Sequence, residues 1–205
     1  MMRDRDLVRL YWPVELRPAF DALFDLEQAM ADVVATSTQP ALGAIRLAWW
    51  REALERLDTS PAPAEPRLQA IAAELLPRGL SGARLAAIED GFAALLDGEP
   101  DIQRVMKGGA ALFACAAMLL DVDDPLLPQA GAAHAVARAM RGGLLASATV
   151  HNYLKCVRFA KPLRPLTAFT RLAQRDRRQF PAVEPEATPG RAAALLSHRL
   201  FGTVA

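Results

Sequence analysis

The spacing of apolar residues predicts helices along most of the chain. Apolar positions recur at intervals of three and four, Ala and Leu are abundant, and β-branched residues are sparse, which is typical of an all-α fold. The first long helix follows Pro18, and one of its faces carries Phe20, Leu23, Phe24, Glu27, Met30, Ala31 and Val34. After a break at 36–40, a second helix is predicted to turn inward Leu42, Ile45, Trp49, Ala53 and Leu57.

The same spacing predicts further helices after a proline-rich connector at 60–66. They fall at 68–75, from an N-cap at Ser81 to about Leu95, and then at 102–119, 131–140, 171–180 and 189–201. The Gly108–Gly109 pair lowers helix propensity, so we expect it to allow close packing against a neighbour or a ligand. Because no boundary is clearer than the connector, the sequence predicts one domain over 1–205, with a basic C-terminal part at 161–205.

Composition narrows the class of protein. The 205 residues are 52% hydrophobic and carry a net charge of +1, so no overall field favours binding to nucleic acid or to an anionic membrane. The two cysteines, Cys115 and Cys156, form no CxxC motif, which argues against disulfides and zinc, and Cys115 is expected to be buried. The longest apolar run, 108–120, is too short to span a bilayer. These features predict a cytoplasmic protein, with peripheral membrane contact left open.

Glu27 is the carboxylate that the pattern places among apolar side chains. A buried carboxylate needs a partner, and we expect Arg46 from the second helix, or else Arg17, to form an ion pair with it. Trp49 is expected to lie in the core. The adjacent Trp50 is expected to face another direction, where it covers another helix or forms part of a partner surface.

The other polar candidates are expected to be structural or solvated. Asp21, Asp25, Gln28 and Asp32 share one stripe, which predicts a solvated helix face, although Asp21 and Asp25 also form a DxxxD pair. The acidic run at 121–124 precedes Pro125 and is read as a surface turn. The histidines His134, His151 and His198 are interpreted as structural, with His198 a cation near a helix C-terminus. A basic cluster is interpreted as a solvated face and consists of Arg171, Arg175, Arg177 and Arg178.

The first quarter of the chain resembles the opening of the squalene/phytoene synthase family, particularly its short bacterial branch related to a mitochondrial complex I assembly factor. The matching segments, in order, are Asp4–Arg5, Tyr11–Trp12–Pro13, Arg17–Pro18–Ala19, Phe24–Asp25–Leu26–Glu27 and Gly43–Ala44–Ile45–Arg46–Leu47–Ala48–Trp49–Trp50. The resemblance implies the α-helical terpenoid synthase fold, truncated here in its second half.

Active family members join two prenyl diphosphates, and the resemblance implies two Asp-rich motifs that hold magnesium. This chain departs from both. Glu27 and Asp32 are five residues apart, about 140° around a helix, so they share a metal poorly. The stretch at 134–143, where the second motif is expected, contains no acidic residue. The sequence therefore predicts a member that keeps the fold and has lost the usual metal ligands.

Three functions follow from the resemblance. The first is a catalytically degenerate protein that binds a prenyl diphosphate or isoprenoid lipid, or acts in assembly. The second is an active magnesium-dependent prenyl transferase with Glu27 and Asp32 as catalytic residues. The third is a subunit whose cavity a partner chain completes. The candidate substrate-binding residues are Arg17, Phe24, Arg46 and Trp49, and the candidate metal ligands are Asp21 and Asp25.

Overall fold

The computed structural model describes residues 2–146, 154 and 157–204, and this part of the chain contains no β-strand. His151 and Cys156 lie outside the described residues. The prediction of an all-α fold is confirmed. The ten α-helices among the described residues are α1 Asp4–Arg9, α2 Arg17–Thr36, α3 Pro40–Arg56, α4 Pro66–Glu74, α5 Gly82–Ala86, α6 Glu89–Ala93, α7 Ile102–Leu119, α8 Leu127–Arg141, α9 Arg164–Gln179 and α10 Pro189–Phe201.

Most helix boundaries follow local signals in the sequence. Ser81 caps α5 as predicted, because its hydroxyl accepts from the Arg84 amide at 3.2 Å. The single helix expected from Ser81 to Leu95 is divided into α5 and α6. Helix α8 begins at Leu127, four residues before the predicted start, and the turn before it is organised by Asp124, which accepts from the Leu126 amide at 2.8 Å.

The predicted inward face of α2 is confirmed except at Ala31, which is half-buried and lines the cavity described below. Phe20, Leu23, Phe24, Met30 and Val34 are buried, and Glu27 is buried with them. The rings of Phe20 and Phe24 lie 4.6 Å apart, and Phe24 stacks on Phe169 of α9 at 4.8 Å.

The predicted inward face of α3 is wrong for three of its five residues. Leu42, Ile45 and Trp49 are 54%, 66% and 47% exposed, whereas Ala53 and Leu57 are buried as expected. The residues that pack inward instead are Gly43, Leu47, Trp50 and Leu54. Both stripes have helical spacing, so the choice between them depends on which neighbour α3 meets.

That neighbour is α5, which packs closely against the end of α3. A Cβ on Gly82 of α5 would lie 1.9 Å from the Leu54 carbonyl oxygen, so only glycine allows this approach. The Asp58 carboxylate, just beyond α3, accepts from the amides of Gly82 at 2.6 Å and Ala83 at 3.0 Å. These contacts fix the rotation of α3 and bury Trp50 in place of Trp49.

Two glycine pairs bring α7 into backbone contact with its neighbours. A Cβ on Gly109 would lie 2.3 Å from the Gly131 carbonyl oxygen of α8, and one on Gly108 would lie 2.8 Å from the Gly91 Cα of α6. The prediction that Gly108–Gly109 allows close packing is therefore confirmed. Among the described residues, α7 alone has the length and apolar character to cross a membrane, and half of it is buried within the protein.

Three smaller predictions have mixed outcomes. Cys115 is buried, and burial raises the pKa of its thiol to about 12. His198 is structural, but it is buried and not a surface cation: burial lowers its pKa, and its imidazole lies 3.0 Å from Thr167 Oγ1. In the basic cluster only Arg178 is exposed, and Arg175 pairs with Glu184 at 2.7 Å.

Candidate functional site

A cavity of about 700 Å³ lies between α2, α6, α7, α8 and α9, with α1 and α10 contributing to its wall. Its volume is within the range of small-molecule sites. One part of the lining is apolar and is built from Phe24, Ala31, Val34, Ile88, Phe92, Leu95, Val105, Leu112, Leu144 and Leu172. Gly91, Gly108 and Gly109 also line it, so the close helix contacts described above shape its wall.

The first polar group in the lining, here called the Glu27 cluster, consists of Glu27, Gln28, His134 and Arg138. One carboxylate oxygen of Glu27 lies 2.9 Å from His134 Nε2, and the other lies 2.9 Å from an Arg138 guanidinium nitrogen. Arg138 also donates to the Gln28 side-chain oxygen at 3.0 Å. The cluster therefore joins α2 to α8.

The electrostatics of Glu27 follow from these partners. Burial alone would raise its pKa, but the charges of Arg138 and His134 and their hydrogen bonds outweigh burial and lower the pKa to about 2. Because Glu27 is ionised near neutral pH, His134 Nε2 carries the proton and donates to it. The His134 ring lies between Phe113 at 5.6 Å and Phe169 at 5.1 Å, which holds the imidazole in place.

The second polar group, here called the Arg191 cluster, consists of Asp4, Arg141, Asp176 and Arg191. The Arg191 side chain is 1% exposed, pairs with Asp4 at 2.6 Å and also pairs with Asp176. Arg141 donates to Asp176 at 2.8 Å and to the Glu184 carbonyl oxygen at 2.9 Å. Although burial opposes it, hydrogen bonding to Asp176 and Asp4 raises the pKa of Arg191. The cluster ties α1, α8, α9 and α10 together.

The predicted partners of Glu27 are wrong. Arg46 is exposed and donates weakly to Thr36 Oγ1 at 3.4 Å, and Arg17 donates to the Leu10 carbonyl oxygen at 3.4 Å. Neither lines the cavity. The partners of Glu27 come instead from α8, whose His134 and Arg138 side chains reach it at the cavity.

The remaining candidates are divided between the cavity and the surface. Phe24 lines the cavity as expected, but Trp49 does not. Asp32 is exposed and accepts from Gln28 at 2.6 Å. The predicted DxxxD pair faces α1: Asp21 accepts from Arg9 at 2.7 Å, and Asp25 accepts from Arg5 at 2.6 Å. In the stripe that was predicted to be a solvated face, Asp21 and Asp25 thus belong to a surface ion-pair network.

No group of three or more His, Cys, Asp or Glu side chains in the described part of the chain is arranged to hold a metal ion. Three carboxylates at the cavity, Asp4, Glu27 and Asp176, are instead paired with guanidinium groups. Magnesium prefers several oxygen ligands, and each Glu27 oxygen is already paired, one with His134 and the other with Arg138. The donor set does not fit the metal that the family resemblance implies.

The residues missed by sequence reasoning are His134, Arg138, Arg141 and Arg191. His134 and Arg138 are four residues apart on α8, so they share a face, and this spacing was the available signal. No comparable signal marks Arg191, whose partner Asp4 is 187 residues away in sequence. Comparisons with models of protein families, with curated proteins and with solved structures give no match.

Proposed function

We propose that the chain is a prenyl-lipid binding protein of the squalene/phytoene synthase type, which keeps the terpenoid synthase fold without metal-dependent condensation. The observation that carries this proposal is the cavity, where an extended apolar lining meets arginine side chains. A prenyl diphosphate has the same division into a long apolar chain and a strongly anionic head.

The charges at the cavity favour an anionic head group. Five arginines line it, Arg3, Arg5, Arg138, Arg141 and Arg191, against four carboxylates, Asp4, Glu27, Asp176 and Glu186. Arg138 uses two of its five N–H donors, on Glu27 and Gln28, so three remain for a ligand. Among the described residues, no carboxylate lies within 4.0 Å of the Arg3 guanidinium group. Arg3 and Arg138 are therefore the side chains proposed to bind the diphosphate.

The alternative of an active prenyl transferase requires magnesium, and the pairing of Glu27 with His134 and Arg138 supports the non-catalytic proposal instead. A third possibility, a subunit completed by another chain, is favoured by the exposed stripe Leu42, Ile45 and Trp49 on α3. That stripe lies outside the cavity lining, so a partner bound there would not close the cavity directly.

The proposal is tested by measuring thermal stabilisation and calorimetric binding with farnesyl diphosphate, with magnesium and with EDTA. We expect binding that survives EDTA, and Arg138→Gln should weaken it by roughly tenfold or more, because hydrogen bonds to a charged group are lost. Arg46→Gln is the matched control, since it removes the same guanidinium group from an exposed position on α3 and should bind like the native chain.

Two further arms separate the alternatives. Farnesol in place of the diphosphate should bind more weakly, and equal binding would assign the cavity to a neutral isoprenoid lipid. Magnesium-dependent release of diphosphate that is lost in Glu27→Gln would show catalysis and overturn the non-catalytic proposal.

A further inference from the structure

The C-terminal end of α10 presents apolar side chains to solvent. Leu196, Leu200 and Phe201 are 53%, 60% and 56% exposed. Leu10, at the end of α1, is 55% exposed, and the next residue, Tyr11, packs under the Arg199 guanidinium group at 4.8 Å. These four apolar residues, Leu10, Leu196, Leu200 and Phe201, are called the C-terminal patch.

The patch is not needed to form the core. The opposite face of α10 is already buried through Ala194, Leu195 and His198. Helix α10 therefore carries one apolar face that packs inward and a second, with Leu196 and Leu200 one turn apart, that is exposed to solvent. Exposed apolar side chains grouped in this way mark binding surfaces.

Cationic residues lie in the segment beside the C-terminal end of α10. The segment just before α9 runs beside the end of α10, because Arg158 forms a backbone bridge with Thr203 and Arg164 donates to the Leu200 carbonyl oxygen at 2.9 Å. This segment contains Arg158, Lys161 and Arg164, of which Arg158 and Lys161 are exposed. Among the described residues, no carboxylate lies within 4.0 Å of these three cations.

The part of the chain that contains this segment is also the basic part. Residues 157–204 contain nine Arg or Lys and three Asp or Glu, a net charge of +6, whereas residues 1–156 carry a net charge of −5. The near-neutral total hides this separation. Exposed Leu and Phe side chains next to basic residues are the combination that binds an anionic lipid surface, since apolar insertion and electrostatic attraction act together.

We propose that the C-terminal patch docks on an anionic phospholipid membrane, with Leu196, Leu200 and Phe201 inserted at the interface and Arg158 and Lys161 against the lipid phosphates. The exposed cations Arg158 and Lys161 favour this occupant over a second copy of the chain, because two copies meeting at this surface would bring like charges together. This proposal does not depend on what the cavity binds.

The test is co-sedimentation of the full chain with vesicles of phosphatidylcholine alone and of phosphatidylcholine mixed with phosphatidylglycerol. We expect at least about tenfold stronger partitioning to the anionic vesicles, reduced by added salt. Leu196→Glu/Leu200→Glu should lower that partitioning at least about tenfold, since it removes apolar insertion and adds repulsion. Because both side chains are exposed, the variant should keep its melting temperature and circular dichroism spectrum.

The matched control is Leu42→Glu/Ile45→Glu, which makes the same charge change at equally exposed apolar positions on α3 and should bind like the native chain. A second variant, Arg158→Gln/Lys161→Gln, leaves the apolar residues in place and should remove most of the salt-sensitive binding. Equal partitioning to neutral vesicles, absence of binding, or an equal loss in the α3 control would overturn the proposal. Self-association abolished by Leu196→Glu/Leu200→Glu, without vesicle binding, would assign the surface to a second copy instead.

Discussion

The Arg191 cluster and the Glu27 cluster use the same kinds of side chain in different surroundings. In the first, Arg191 is 1% exposed and its fork joins carboxylates from α1 and α9. In the second, Arg138 is 27% exposed and keeps donors free beside an apolar cavity. The difference is one of role: Arg191 is committed to two buried carboxylates, whereas Arg138 retains donors for a ligand.

The largest effect on stability is expected from breaking the Arg191 cluster. Arg191→Met would leave Asp4 and Asp176 buried without their cation, and losing one partner of a buried ion pair typically costs about 3–5 kcal/mol. Urea denaturation should show that loss in the free energy of unfolding. Arg56→Met is the control, because the Arg56 side chain is 77% exposed and its removal should change little. A loss as small as the control's would mean that the cluster does not hold α1 in place.

The second prediction concerns the pH dependence of the Glu27 cluster. The pKa of Glu27 is lowered from its ordinary value of 4.5 to about 2, so its ionised form stabilises the folded state above pH 4.5. That contribution, about 3 kcal/mol, should disappear as the pH falls from 4.5 to 2.

Urea midpoints measured across that range, for the native chain and for Glu27→Gln, isolate the effect from other carboxylates. The native chain should lose more stability on acidification than the variant, because the substituted amide side chain has no proton to gain. Parallel curves for the two proteins would contradict the lowered pKa and the pairing that causes it.

The sequence was sufficient to predict the burial of Glu27 but not the residues that pair with it. The stripe from Phe20 to Val34 placed Glu27 in the core correctly, because helical spacing fixes which residues share a face. Its partners could not be chosen in the same way. Arg46 is an arginine on the next helix along the chain, but the partners are His134 and Arg138 of α8, which is held by α7 and α9 and meets α2 through these side chains.

Helix α3 shows why periodicity alone is insufficient. Leu42, Ile45 and Trp49 form one apolar stripe and Leu47, Trp50 and Leu54 form another, so the pattern allows two rotations. The close approach of Gly82 to Leu54 selects the second. The pairing of Asp4 with Arg191 is harder still, since it depends on the two ends of the chain meeting and has no local signal.

The smallest effect is expected from changing the shape of the cation and keeping its charge. Arg138→Lys can still pair with Glu27 but loses the second hydrogen bond, to Gln28, so the free energy of unfolding should fall by about 1 kcal/mol. Arg191→Lys should cost at least about twice as much, because a single ammonium group does not reproduce a buried fork between two carboxylates. Measuring both variants under the same denaturation conditions tests the comparison directly. Equal losses would mean that the Glu27 cluster is as completely committed to the fold as the Arg191 cluster, and that Arg138 has no spare donors to offer a ligand.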